Sequence, residues 1–546
     1  MKTGYPSIDK THLQGIPEEK LHPEILPASM FATFLKINEG HLDEVAVEAD
    51  GEVYTKQTLK DDAVKFAGLL LKKGIKAGDK LVVVVPNSYE GIAAIFGANA
   101  IGVPVAITHA VDEADLSPFY EELDLHRPKA VLLYSGSTTL VDAIKEYAES
   151  VELVLIVKPD ENASRYEFRA VLDGTEISLP ETSAEIEKHS LSEKDEAMLY
   201  LKTSGSSSKP KTLPFSNRAI FASLIYAVNS SGTDTRTVNK VICRAPFCHG
   251  YGFMPMSINV MGGSIVVLAG SAPEDIAVCY NSKPSFIYGS PLTLRQFIEY
   301  VPKDADISWL KIFYCAGAAL HERDYEDGMK FFKEHGCQAE ICNNYGISEG
   351  MCIGTINDRV AHVSGTAGRF YIGPEWLIVD EDGNEVKYGE IGEAIVSSAS
   401  LCQGYFGDEE LTKKCFIKRD GKTFFKTGDF MSLDESGYVH FVGRERRFFM
   451  NENAFDKVNC ETVEEAISKL DIVDQNAVVV TPDETGARAF IVLKGDIVPS
   501  EATEEELKKN LATFLKDYQM PQEFIFLDEL PIMASGKVNY KLLETM

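Results

Sequence analysis

The sequence predicts an α/β protein: a large N-terminal domain with parallel-rich sheets and a barrel-like section, then a small α+β C-terminal domain. Three observations carry this. The first two thirds alternate short β-branched runs with longer amphipathic stretches. After about residue 390 the chain turns to short strands joined by tight turns. From residue 461 a helix, two strands and a further helix follow in quick succession.

Taken in order, the run Leu81 to Val85 is followed by a helical stretch over 89–101 and a returning strand over 103–108. The segments 130–134, 153–157 and 265–268 have the same continuous apolar style. Uninterrupted apolar strands separated by helices are those of a parallel sheet covered on both faces. Segments 393–398, 422–427 and 438–442, with the turn Asp434 to Gly437, read as antiparallel or barrel-like. The last part predicts a helix over 461–469, strands over 476–480 and 489–493, and a helix over 504–516. A strand ends in charged residues near Gly443 to Arg447. This divides the chain into 1–443, a joint at 444–447, and a small domain at 448–546. The acidic stretch Glu181 to Glu196 reads as a solvated linker or surface face.

Composition narrows the function classes. The 546 residues are 45% apolar and 25% charged, ordinary for a globular chain and unlike a disordered or collagenous one. Against 54 Lys and Arg stand 83 Asp and Glu, a net charge of −29. Phosphate backbones are gripped by clustered cations, so nucleic acid is not expected as a partner. One basic pocket for a phosphorylated ligand remains compatible with that balance. The ten cysteines show no CxxC spacing, which argues against a zinc ribbon or a dithiol centre. No apolar run reaches the roughly 18–20 residues of a spanning helix, and the start lacks the apolar core of a signal peptide. A cytoplasmic location is expected.

Four motifs carry chemistry. Lys202 to Thr212 places hydroxyls, Gly205 and lysines directly after an apolar strand, a composition suited to polyphosphate oxygens. Pro210 stands where a Walker-type loop needs glycine, and proline has no N–H to offer, so a P-loop ATPase is disfavoured. Cys342 to Gly350 sets a tyrosine beside a glycine, then a hydroxyl and a carboxylate, a pattern able to stack on a base and hold magnesium. Phe425 to Asp429, with Gly443 and Arg444 downstream, supplies a carboxylate for two sugar hydroxyls and an arginine beside it. Finally, Pro531 to Lys537 ends in a lysine after a glycine. Each motif alone is equally compatible with a surface turn.

Together, in this order and spacing, they resemble the adenylate-forming superfamily of acyl- and aryl-CoA ligases, stand-alone adenylation domains and luciferases. Phe247 to Gly252, Cys315 to Leu320 and Tyr518 to Gln522 extend the resemblance over nearly the whole chain. The resemblance implies that Thr203, Ser204, Gly205, Ser206, Ser207 and Lys211 grip the outer phosphates of ATP. It puts Gly317 and Ala318 at the adenine, Tyr345 and Gly346 against the base, and Ser348 near the α-phosphate. Glu349 would hold Mg2+, and Asp429 the ribose, assisted by Arg444. His249 would stand at the mouth of the acyl pocket, and Lys537 would drive adenylation. Arg446 would be the hinge about which a mobile small domain swings.

The implied activity is an ATP-dependent carboxylate-activating ligase. A small carboxylic acid becomes acyl-AMP with release of pyrophosphate, and the acyl group then passes to a thiol of CoA or of carrier-protein phosphopantetheine. The family's Thr-Gly is Ser207-Ser208 here, and the segment 449–458 is longer and lacks the usual glycine. These departures keep open a nucleotide-binding regulator with a degenerate site, and the fold itself keeps open a luciferase-like oxygenase.

Overall fold

The computed structural model describes residues 3–10, 13, 16–25, 28–109, 111–135, 138–158, 171–191, 195–203, 210–231, 240–268, 275–356, 363, 365–449, 458–495, 497–533 and 537–546. Two parallel-rich sheets form the body. The six-stranded sheet runs, in spatial order, Leu153–Lys158, Ala130–Ser135, Leu81–Val84, Val105–Ile107, Ala197–Lys202, Thr212–Ser216. All its neighbours are parallel except the last two strands, which form an antiparallel edge pair. The seven-stranded sheet runs Glu340–Asn344, Ile312–Ala316, Phe286–Gly289, Val241–Cys243, Ile265–Val267, Val45–Ala49, Glu52–Thr55, again parallel up to an antiparallel edge.

Helices fill the space between these sheets. Every residue of Tyr89–Ala100 is buried. Its sequence is apolar and small all round, as a fully enclosed helix requires. Gly97 lets it approach the Lys56–Lys72 helix, because a β-carbon there would lie 2.4 Å from the Ala63 carbonyl oxygen. Buried phenylalanines such as Phe34, Phe66 and Phe96 complete this main core.

The antiparallel section forms as expected. Strands Glu375–Val379, Gly392–Ser397 and the long Lys422–Leu433 pair in order, and Phe416–Arg419 and Val439–Arg444 pair with different parts of Lys422–Leu433. The small domain has its own core, built on Val473–Val480, Ala487–Leu493 and Glu523–Phe526 with three helices over them.

Two helices depart from expectation. The last long helix is Glu501–Leu511, not 504–516, because the Ser500 hydroxyl accepts the Thr503 N–H and starts it early. Part of the acidic stretch is a helix, Leu179–His189, rather than a linker, and it is largely exposed, as the surface-face reading expects. It packs on the Lys56–Lys72 helix, with Thr182 buried against Gly68. Among the described residues no helix is long and apolar enough to cross a membrane.

Candidate active site

The strand pair Ala197–Lys202 and Thr212–Ser216 presents the first motif at one edge of the six-stranded sheet. Thr203 N–H donates to the Lys211 carbonyl at 2.9 Å, and Lys211 N–H donates to the Thr203 hydroxyl at 2.9 Å. These two bonds close the base of the loop. Ser204, Gly205, Ser206 and Ser207 lie outside the described residues. Below the loop, the buried Lys202 ammonium pairs with Glu122 and donates to the Thr212 hydroxyl at 2.7 Å. Lys211 reaches over the Tyr405 ring, 5.0 Å from its centroid.

Tyr405 links this loop to the second motif. Its hydroxyl donates to Glu349 Oε1 at 2.7 Å. Burial, then the Glu349 carboxylate, push the Tyr405 pKa upward, so the hydroxyl stays a donor. Glu349 stands on a one-turn 3-10 helix, Ser348–Gly350. Behind the turn, Met351 and Cys352 have φ of 53° and 64°, a left-handed pair that carries backbone strain. The Ser223 hydroxyl donates to the Met351 carbonyl at 2.9 Å and holds that bend.

The third motif assembles across strands. Asp429 and Arg444 are register partners, with Arg444 Nε 2.9 Å from Asp429 Oδ1. The Tyr345 hydroxyl donates to Asp429 Oδ2 at 2.5 Å. Asp429 is fully buried while Arg444 is half exposed. Gly428 supplies a positive φ of 68° just before Asp429, where the long strand bends.

Lys537, from the small domain, enters the same cavity. Strand-like pairing holds its segment: Met533 N–H donates to the Lys537 carbonyl at 2.8 Å, beside an Ile532–Val538 bridge. Its Cε lies 3.1 Å from where a β-carbon on Gly317 would stand. Burial, and then the nearby Arg444, lower its pKa to about 8. The cavity around it is lined by Tyr251, Tyr288, Gly317, Tyr345, Gly346 and Ser348, among others. Ala318 follows Gly317 but is exposed and does not line it.

His249 is buried at the N-terminus of helix Gly250–Gly262. Its Nδ1 is 2.9 Å from the Lys202 carbonyl oxygen, which orients the ring, and burial lowers its pKa to about 4. It is therefore neutral at physiological pH, with Nδ1 as the protonated nitrogen.

Of the expected joint, Arg444, Glu445 and Arg446 are exposed, whereas Arg447 is not. Arg447 donates to Glu461 at 2.7 Å and to Glu464 at 2.5 Å, and stacks on Tyr540 at 4.2 Å. It is anchored in the small domain rather than free to re-pair. The lengthened segment 450–457 lies outside the described residues. Sequence reasoning missed Tyr405, Tyr371 and the end of helix Asn217–Ser231, where Ala227, Val228 and Ser231 line the cavity. The spacing of Ala227 and Ser231, one helical turn apart on the helix after strand Thr212–Ser216, is the signal that could have found that wall.

The fold and this clustering define a class. The chain belongs to the AMP-binding enzyme family, whose model matches residues 34–406. The model of the AMP-binding enzyme C-terminal domain matches residues 462–537, ending on Lys537. A feruloyl-CoA synthase of Amycolatopsis is 25% identical over 515 residues, covering 90% of this chain and 94% of its own. A D-alanine–D-alanyl carrier protein ligase of Streptococcus pyogenes is 24% identical, covering 90% of this chain and 94% of its own. The crystal structure of the anthranilate CoA ligase AuaEII in complex with anthranoyl-AMP superposes with a TM-score of 0.80 at 19% identity, covering 96% of this chain and 97% of that one.

Proposed function

We propose that the chain is an AMP-forming acid–thiol ligase, activating a small carboxylic acid with ATP and passing the acyl group to a thiol. The observation that carries this reading is Lys537 of the small domain seated against Gly317, in the cavity that Tyr345 and Ser348 also line. A protein that only bound nucleotide would gain nothing from a lysine delivered by a second domain.

In the first step a carboxylate oxygen attacks the α-phosphorus, the bond to the bridging β-oxygen breaks, and pyrophosphate leaves. Little covalent help is needed; position and charge do the work. The Lys537 ammonium bridges the attacking carboxylate and the α-phosphate. Thr203 and Lys211, with the loop they close, hold the outer phosphates. Asp429 accepts from the ribose hydroxyls while Arg444 steadies it. Tyr345, tied to Asp429, lies against the adenine.

Glu349 is suited to Mg2+. Tyr405 takes one carboxylate oxygen, leaving the other for a hard cation that prefers one or two carboxylates plus phosphates and water. When bound there, the ion neutralises charge that develops on the phosphate oxygens. In the second step the acceptor's thiol sulfur attacks the acyl carbon, its proton is released, and AMP leaves with the bonding pair. Both CoA and a carrier-protein phosphopantetheine supply such a thiol, and the relatives above include a ligase of each kind.

Arg446 is the hinge in this reading. Arg444 is committed to Asp429 of the large domain and Arg447 to Glu461 and Glu464 of the small one, so rotation falls between them. A cytoplasmic location is supported by ten free cysteines. ATP–pyrophosphate exchange over a panel of carboxylates tests the reading. Exchange that depends on one acid is expected; release of orthophosphate, or ATP binding without exchange for every acid, would favour a regulator.

A further inference from the structure

We propose that the acid is an aromatic monocarboxylate whose ring carries a hydrogen-bonding substituent such as a phenolic hydroxyl. The inference rests on the acid-activating reading and assigns that site its substrate class.

Charge comes first. Among the described residues lining the cavity, Lys537 is the only charged side chain. An α-amino acid would bury an ammonium with no carboxylate to meet it, and a dicarboxylate would bury a second anion with no cation. Within this cavity, whose lining holds no charged group besides Lys537, either is strongly disfavoured.

Shape follows. Phe286 and Tyr288 alternate on one face of strand Phe286–Gly289, and Tyr314 and Ala316 do so on Ile312–Ala316. Tyr288 and Tyr314 are register partners, stacked at 4.6 Å with planes 18° apart. Lys537 touches Gly317, immediately beyond Ala316. At a rise of about 3.3 Å per residue the tyrosine pair lies about 7 Å deeper than Ala316, and Phe286 about 13 Å. A carboxylate at Lys537 therefore places its tail along these aromatic side chains, in a cavity that Met254 and Ile258 of helix Gly250–Gly262 also line. A planar ring meets such side chains edge to face.

Polarity completes the case. The Asn259 amide nitrogen is taken by the Pro255 carbonyl at 2.7 Å, which leaves its side-chain oxygen as an acceptor. Tyr288 and Tyr371 line the cavity, and neither hydroxyl forms a hydrogen bond among the described residues. Buried polar groups are nearly always paired. A hydrocarbon tail would strip three polar groups of water and return nothing; a ring hydroxyl would meet them.

The test uses the full chain and two readouts, pyrophosphate exchange and equilibrium binding of the acid. The panel is benzoate, para-hydroxybenzoate, cinnamate, para-hydroxycinnamate, hexadecanoate, succinate and phenylalanine. The hydroxylated aryl acids should lead in exchange by about tenfold over their unsubstituted counterparts, the effect of one buried hydrogen bond. Tyr288→Phe and Asn259→Leu should narrow that ratio. Fastest exchange with hexadecanoate, succinate or phenylalanine, or no preference for the hydroxyl, overturns the proposal. If no acid supports exchange yet hydroxylated aryl acids bind in the same order, the substrate class stands and the adenylation reading fails. Absence of both exchange and aryl-acid binding overturns the class as well.

Discussion

The Lys537 side chain packs closely against Gly317, with Cε 3.1 Å from where a β-carbon on that residue would stand. One residue from the large domain and one from the small domain are thus fitted to each other. Lys537→Ala should lower exchange by about 10²–10³-fold while leaving ATP binding nearly unchanged, as loss of one preorganised charge at a transition state does. Gly317→Ala should act in the same direction and more mildly. Its φ of 86° strains any side chain, and the new methyl group crowds the lysine. Near wild-type exchange by Lys537→Ala would remove the lysine from the mechanism.

The lowered Lys537 pKa, about 8, sets a pH profile. The ammonium is charged below that value and neutral above it, so kcat/KM for adenylation should fall as pH rises through about 8. Lys537→Arg, with a guanidinium that does not titrate there, should move this limb to higher pH even if it is slower overall. Stability responds with the opposite sign. The unfolded chain keeps the extra proton, so this group makes folding more favourable as pH rises from about 8 towards the ordinary lysine value.

Asp429→Asn removes the carboxylate that Tyr345 and Arg444 share. The KM for ATP is expected to rise about tenfold or more, because a charge-assisted acceptor for two hydroxyls is lost. Tyr345→Phe should raise it less, by a few-fold, since only the hydrogen bond that orients the acid goes. Equal effects of the two substitutions on exchange kinetics would contradict a direct sugar contact by Asp429.

Arg446→Pro fixes φ at the residue between the two anchored arginines. Exchange should stay within about twofold, whereas thioester formation should slow by about tenfold or more, as for an enzyme gated by domain rotation. Stopped-flow transfer to CoA, with acyl-AMP preformed, separates the two steps. An equal loss of both would place the hinge elsewhere.

Lys202→Met tests the support beneath the phosphate loop. It leaves Glu122 without its ammonium, in surroundings where that carboxylate is only 20% exposed. Thermal or denaturant unfolding should show a loss of about 3 kcal/mol, the scale of a broken buried pair. A loss nearer that of a surface pair would mean Glu122 finds water.

The order and spacing of the four motifs, and the alternation of apolar strands with helices, were legible in the sequence alone. Strand Leu81–Val84 and helix Tyr89–Ala100 fall where local patterning put them, because periodicity is a property of neighbouring residues. Helix ends were less legible, since the Ser500 cap competes with a pattern that continues apolar to Leu515. Tertiary structure alone decided what no local pattern encodes. Tyr405 reaches Glu349 across 56 residues of chain, and Arg447 turns out to be a half-buried small-domain anchor rather than a loose joint charge. Tyr371 and the end of helix Asn217–Ser231 close the cavity from elements with no motif of their own. A pocket wall is a convergence of side chains from separate elements. Its chemistry becomes visible only when the sheets and helices that carry them have packed.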